Sequence, residues 1–248
     1  MLDIKVTENY GGVEVKGDYA DFEQLYDSIF EIIGDGEDYP TLEKLRIQIL
    51  AFCYDLRHAK QGSREIELVE NNMNDEIMKW HSIITPINNV YYKFKYILTQ
   101  AIFVVYALNI FIDNYKYKKY KSSYYTKVVY DEAVNIVQEF QSKVIKAIVQ
   151  ILSEKNKKIF LKLFYDREFG TNRLVHQYLE LIDCRYLAKN KENRLKGLVN
   201  TTKRVIRYWE YQEYIDLEQE LIEYAEENQC DIDNIIIDGT EYPEEIDW

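Results

Sequence analysis

Asp55, Arg57 and His58 stand close together, and Arg64, Glu65 and Glu67 follow them after a glycine turn. Trp80 and His81 come next, then Asn88 and Asn89. Two of the chain's 3 histidines lie in this stretch. An imidazole titrates near neutral pH, so His58 or His81 can act as general acid or base. Arg57 and Arg64 can hold a phosphate or carboxylate through two parallel hydrogen bonds, and Asp55 can orient a histidine. If these groups converge, the chemistry is that of a hydrolase or nuclease. If they do not, they form a structural network in which Arg57 and Arg64 pair with Asp55, Glu65 or Glu67. The spacing of His58, His81, Asp55 and Glu67 matches no compact metal motif, so no metal is expected. There is no Walker A loop, GxGxxG or GxSxG, and no cofactor is expected.

Charge supplies the second set of candidates. The net charge is −12, but it is unevenly spread. Residues 96–208 carry 21 Lys and Arg against 10 acids, whereas residues 209–248 carry 15 acids and neither Lys nor Arg. Lys118, Lys119 and Lys121 alternate with tyrosines in a segment running on to Tyr124 and Lys127, a pattern able to bind phosphates and stack bases. Arg194, Lys196, Lys203, Arg204 and Arg207 form a second basic patch, with Lys196, Lys203 and Arg207 near one helical face. Nucleic acid is therefore a candidate partner through the basic middle. Glu218, Glu223 and Glu226 on the acidic end are candidates for docking a basic protein, or for masking the basic patch at close range. Charge of this kind speaks to partners, not to fold.

The elements that must position these groups are mainly helical. Only 3 Pro and 9 Gly occur in 248 residues, and few breakers favour long helices. Residues 4–9 and 13–16 alternate around Gly11-Gly12 as a hairpin does. Asp18 can cap a helix carrying Phe22, Leu25, Ile29, Ile32 and Ile33, which Gly34-Asp35-Gly36 ends. Pro40 opens a second helix with Leu42, Leu45, Ile49, Phe52, Cys53 and Leu56 on one face. Residues 64–70 alternate as a third strand that would pair with the hairpin. From about Asn89 the pattern predicts helices over 89–119, 126–152, 154–166, 171–188 and 192–228, with a break around Ser122-Ser123. The last of these would run through the charge reversal near Trp209 and bury Tyr211, Tyr214, Leu217, Leu221 and Tyr224. Residues 232–237 could add an edge strand. The predicted fold is α+β, mainly α-helical, with a small antiparallel N-terminal sheet packed on a helical bundle. It divides into an α+β region over 1–120 and a helical region over 126–248, or forms one continuous domain.

Cys53, Cys184 and Cys230 suggest neither a disulfide framework nor a zinc site. The first residues lack the features of a signal peptide. The most apolar run, residues 97–112, is too short and polar to span a membrane. A cytoplasmic protein with no membrane contact is expected. With 23 tyrosines, Tyr-rich helices could also serve as a homo-oligomer interface.

Short polar clusters carry one resemblance. These are Val13-Glu-Val-Lys-Gly-Asp-Tyr19, Phe22-Glu-Gln-Leu-Tyr-Asp27, Cys53-Tyr-Asp-Leu-Arg-His-Ala59, Gln61-Gly-Ser-Arg-Glu65, Lys79-Trp-His81 and Asn89-Val-Tyr-Tyr92. Together they resemble a family of bacterial proteins known only as a domain of unknown function, over roughly residues 1–113. The resemblance implies no activity, cofactor or partner. The residues favour a macromolecule-binding or regulatory protein of a bacterium or phage, most readily one with a protein partner. The alternative is a hydrolase or nuclease built on Arg57, His58, Arg64 and His81.

Overall fold

The structure is a computed structural model describing residues 2–121, 131–164 and 174–248. Four antiparallel strands form one sheet in the order β1-β2-β4-β3. They span Asp3–Val6 (β1), Gly12–Gly17 (β2), Glu65–Glu70 (β3) and Asn88–Ile97 (β4). Alternation splits the sheet into two unlike faces. Ile4, Val15 and Phe94 lie in one cross-strand row, and Val6, Val13 and Tyr96 in another of the same face, turned to the core. The opposite face carries Asp3, Lys16, Lys93 and Glu65 in one row and Lys5, Glu14 and Lys95 in the next.

The third strand therefore exists, but it pairs with β4 and not with the hairpin. β4 occupies residues expected to begin a helix. Its sequence, Val-Tyr-Tyr-Lys-Phe-Lys-Tyr-Ile, alternates and is rich in aromatic and β-branched residues, so a period of two prevails there. The helical period starts one residue later, at Leu98.

Among the described residues the chain forms nine α-helices. They are α1 (Tyr19–Ile33), α2 (Glu43–Lys60), α3 (Asp75–His81), α4 (Leu98–Tyr120), α5 (Glu132–Ile151), α6 (Glu154–Leu163), α7 (Val175–Leu187), α8 (Lys191–Ile206) and α9 (Gln212–Asn228). α1 opens with a capping box: Asp18 accepts from the Asp21 amide at 2.8 Å, and Asp21 accepts from the Asp18 amide at 3.1 Å. This satisfies two amides that would otherwise lack partners. α1 ends at Gly34, whose φ of 58° suits glycine. α2 buries Leu45, Ile49, Phe52, Cys53 and Leu56, the face its spacing predicts. Phe52 packs on Phe94, Tyr96 and Phe140 with ring centroids 5.0–5.7 Å apart. α4 is buried on nearly all sides from Leu98 to Ile112. It packs against α1, α2 and α5 as well as α7 and α8. The boundary expected at 120–126 and the break at Ser122-Ser123 fall largely outside the described residues, as do Tyr124 and Lys127.

Two expectations at the C-terminal end are corrected. The predicted helix over 192–228 is two helices, separated at Arg207 and by a 3-10 turn over Tyr208–Glu210. No Gly or Pro marks the break. Tyr208 turns wholly into the core and packs on Tyr178, Tyr214 and Trp209, so tertiary burial overrides helix continuation. The tail forms a 3-10 turn over Ile232–Asn234, not a strand. Only at its very end does it meet the hairpin, where the Trp248 carbonyl accepts from the Asn9 amide at 2.9 Å.

Arg194 fastens that contact. It belongs to α8 and is 2% exposed. Its guanidinium donates to the Asn9 carbonyl at 2.9 Å, the Asp247 carbonyl at 2.5 Å and the Leu187 carbonyl at 2.7 Å. One side chain thus joins the hairpin turn, the tail and the end of α7. Tyr186 adds a bond to the Tyr10 carbonyl at 2.7 Å. The approach is so close that a Cβ at Gly11 would lie 2.6 Å from the Asp247 carbonyl oxygen, and one at Gly12 would lie 2.5 Å from the Trp248 ring. Gly11-Gly12 therefore serves to admit the tail. Arg194→Ala removes three charge-assisted bonds, leaves buried carbonyls without donors and opens a void. It should cost about 3 kcal/mol in chemical denaturation. A loss below about 1 kcal/mol would mean that the junction is not held this way.

Candidate functional site

The polar cluster does not converge. Among Asp55, Arg57, His58, Arg64 and His81, only Asp55 and Arg64 are joined by a hydrogen bond, at 2.7 Å and partly exposed. Arg57 and His58 lie in the last turn of α2, where cations favour the helix dipole. Both pack on the exposed ring of Tyr54, His58 with centroids 4.2 Å apart and Arg57 at 5.6 Å. His81 ends α3, on a separate excursion of the chain, and is exposed. Glu67 belongs instead to the charged sheet face, 2.7 Å from Lys16 and 3.2 Å from Lys93. No group of three or more His, Cys, Asp or Glu among the described residues could hold a metal ion.

The basic candidates are largely engaged by the chain's own acids. Lys118 pairs with Asp38, and Lys119 lies 3.1 Å from both Glu31 and Asp131. Arg204 pairs with Glu213 at 2.5 Å, which Arg185 also engages, and Arg207 lies 3.4 Å from Glu210. Lys203 sits over the Tyr211 ring at 5.8 Å. Lys121 caps the end of α4, and Lys196 is exposed on α8. On α9, Tyr214 and Leu221 are buried and Tyr224 is exposed, so the apolar stripe docks only in part. Glu223 and Glu226 face solvent, and Glu218 is half-buried.

A buried acid in α7 was not among the residues singled out from the sequence. Asp183 is fully buried, accepts from Thr99 Oγ1, and accepts from Gln100 Nε2 at 2.8 Å and Tyr242 OH at 3.2 Å. Burial pushes its carboxyl up to about 7, against the pull of these three donors. Two turns earlier on α7, the His176 Nδ1 accepts from Gln48 at 2.9 Å and its Nε2 lies 3.5 Å from Glu180. Tyr242, from the acidic tail, covers Asp183. The group is a sealed latch between α4, α7 and the tail.

An exposed apolar surface lies between α2 and the core end of β4. Not one of residues 60–93 is buried. The segment nevertheless holds Ile66, Leu68, Trp80, Ile84, Ile87 and Val90, all exposed, with Trp80 at 85% and Ile84 without cover at all. Polar bonds order it in place of a core. Asn74 caps α3 by accepting from the Glu76 and Ile77 amides at 3.1 and 2.9 Å. Asn71 clamps the base of the loop, donating from its backbone to the Ile87 carbonyl at 3.1 Å and from its side chain to the Pro86 carbonyl at 2.9 Å. The Ile83 amide closes the end of α3 on the Met78 carbonyl at 3.0 Å. Exposed apolar clusters of this kind mark interaction sites. Of them, Ile66 and Leu68 fell in the predicted third strand and Trp80 and Val90 in short motifs, whereas Ile84 and Ile87 fell in neither. A signal was present: residues 81–92 contain no Asp, Glu, Lys or Arg in a chain that is 30% charged.

The fold and this surface define a mainly helical α+β protein with an ordered, apolar excursion from its sheet. The chain belongs to the family described as "Domain of unknown function (DUF6904)", whose model matches residues 2–248. The kinship therefore extends over both halves and not only the first 113 or so residues. Neither a curated protein nor a solved structure matches it. No helix among the described residues is long and apolar enough to cross a membrane.

The Asp183 latch has a definite pH signature. Its folded-state pKa lies above the ordinary 3.8, so between about pH 4 and 7 the folded chain holds a proton that the unfolded chain has released. The stabilisation is complete below about 4 and is lost as pH rises through about 7. Asp183→Asn cannot ionise. Relative to wild type, it should gain in melting temperature as pH is raised from about 5 to about 8. A constant difference across that range would refute the buried proton.

Proposed function

We propose that this is a non-enzymatic macromolecule-binding protein that engages a protein partner through the β3–α3–β4 excursion. The observation that carries the reading is the pairing of order with exposure: Asn71 and Asn74 fix the loop while Trp80, Ile84 and Ile87 remain uncovered. Ordering exposed apolar side chains costs conformational entropy without the gain of burial. A partner that covers them returns that gain. Rigid aromatic and aliphatic side chains are also the usual anchors of protein interfaces.

The charged surfaces support this reading by elimination. Lys118, Lys119, Arg204 and Arg207 face acids of the same chain, which lowers their value to a nucleic-acid backbone. The hydrolase or nuclease alternative would need His58, His81, Arg57 and Arg64 around one point, and their separate placements on α2, α3 and the turn after α2 lend it no support. Regulation in a bacterial or phage setting fits a binding protein, and the acidic face of α9 offers a second contact for a basic partner.

Replacement of Trp80 by a photoreactive phenylalanine analogue should yield a covalent protein adduct on illumination in the host cell. The same analogue at Tyr224, exposed on α9, serves as the comparison. A probe at 80 that yields no adduct, or no more than the probe at 224, would overturn the choice of surface.

A further inference from the structure

We infer that the partner of the excursion is a second copy of this chain, joined edge to edge through β3 in an antiparallel, two-fold arrangement. This rests on the binding reading above and makes it specific.

The sheet has two edges, and they are treated differently. β1 packs under α5, and Lys143 donates to the Leu2 carbonyl beside it at 2.8 Å. β3 forms the other edge and, among the described residues, pairs on one side only. Its sequence, Glu-Ile-Glu-Leu-Val-Glu, has no proline and no lysine, and its six residues pair with β4 without a bulge. Of the usual devices that keep an edge from pairing, proline, lysine and a bulge are missing, and the charges present are Glu65 and Glu67 on the charged face and Glu70 at the end of the other. A strand added there would find free backbone donors and acceptors.

The two faces of the edge say what kind of strand fits. Ile66 lies beside Tyr92, and Leu68 beside Val90, on the face that continues the core. They extend that apolar surface beyond the helices that cover it elsewhere. The other face is charged but balanced: Asp3, Glu14, Glu65 and Glu67 are matched by Lys5, Lys16, Lys93 and Lys95. Glu67 is already held by Lys16 and Lys93, and Lys93 also reaches Glu65 at 3.7 Å. A basic strand would gain little from acids so engaged. The neighbouring residues 81–92 carry no Asp, Glu, Lys or Arg. In a chain of net charge −12, a neutral apolar surface is where two copies can meet with least repulsion.

The register follows from the glutamates. Opposed residues of an antiparallel pair share a face. With Leu68 on the two-fold axis, Glu67 lies opposite the partner's Val69, and Ile66 opposite the partner's Glu70. No acid then faces an acid. A shift to centre on Glu67 would set two carboxylates directly opposite each other, which is unfavourable.

Sedimentation of the purified chain tests the association, with a species of twice 29.8 kDa expected. Leu68→Lys and Ile84→Lys alter exposed side chains and should give folded monomers with the circular-dichroism spectrum of the wild type, their melting temperature lowered only by the stabilisation that association supplied, whereas Tyr224→Lys should leave the dimer intact. The register is tested by Leu68→Cys in a Cys230→Ser background, since Cys53 and Cys184 are buried. Cα atoms of opposed residues lie about 4.5–5.5 Å apart, within disulfide reach, so a mild oxidant should produce a covalent dimer. Glu70→Cys, displaced from the axis, should not. A wild-type monomer at every concentration, or a dimer insensitive to Leu68→Lys and Ile84→Lys, would overturn the inference. A dimer with no Leu68→Cys cross-link would overturn the β3 geometry. If the chain is monomeric and the residue-80 photoprobe still captures another protein, the second copy is refuted while the binding surface stands.

Discussion

The burial of α4 is the constraint on which the rest of the structure depends. All of residues 98–108 except Gln100 are buried, and a helix apolar nearly all round needs neighbours nearly all round. α1, α2 and α5 supply some of the cover, and α7 and α8 the rest. β4 runs straight into α4, with Ile97 and Leu98 adjacent. The Leu98 amide is held by the Gly11 carbonyl at 3.1 Å, so the sheet has little freedom to swing relative to the bundle. The excursion hangs from the other end of this same strand. One uninterrupted segment, residues 88–120, therefore links the best-buried helix to the most exposed apolar surface.

The acidic end is part of the fold's fastening. Glu213 takes Arg185 and Arg204, Asp233 takes Lys44, and Tyr242 closes over Asp183. Asp247 and Trp248 finish the path at the hairpin, under Arg194. These contacts join segments far apart in the chain. Exposed pairs among them are each worth little. The buried bonds of Arg194 and Asp183 matter more, because each leaves costly unpaired groups when broken. The opposition of a basic middle and an acidic end is thus in large part spent inside one molecule.

Local rules made much of the helical fold legible, and tertiary ones hid the remainder. Asp18, with Asp21 three residues on and an apolar stripe behind it, announces α1. The hairpin, the third strand and the core face of α2 are equally local. β4 was hidden because aromatic, apolar residues serve a buried helix or a buried strand alike, and the helix that follows has no intervening loop. The break at Arg207 carries no Gly or Pro and follows from where Tyr208 can be buried. Arg194 reads as a member of a basic patch, yet its side chain turns inward. Asp183 reads as one more acid, and only its flanking Ile182 and Cys184, both apolar, hint at an inward face. For the polar cluster, the residue types were visible but their convergence was not. Of its members, Asp55 and Arg64 meet, and Arg57 and His58 share a tyrosine ring.

What distinguishes the excursion from an ordinary surface loop is how its order is maintained. A loop with no function to serve can remain polar and loosely held, at no cost to the core. Here Asn71, Asn74 and the capped end of α3 fix the backbone, while residues 60–93 contribute nothing buried to the core. The hydrogen bonds are spent on presentation. Apolar side chains held on a rigid frame lose less entropy when covered than those on a mobile one. The physical logic is that of a pre-organised contact surface, built where the core face of the sheet outruns the helices that cover it.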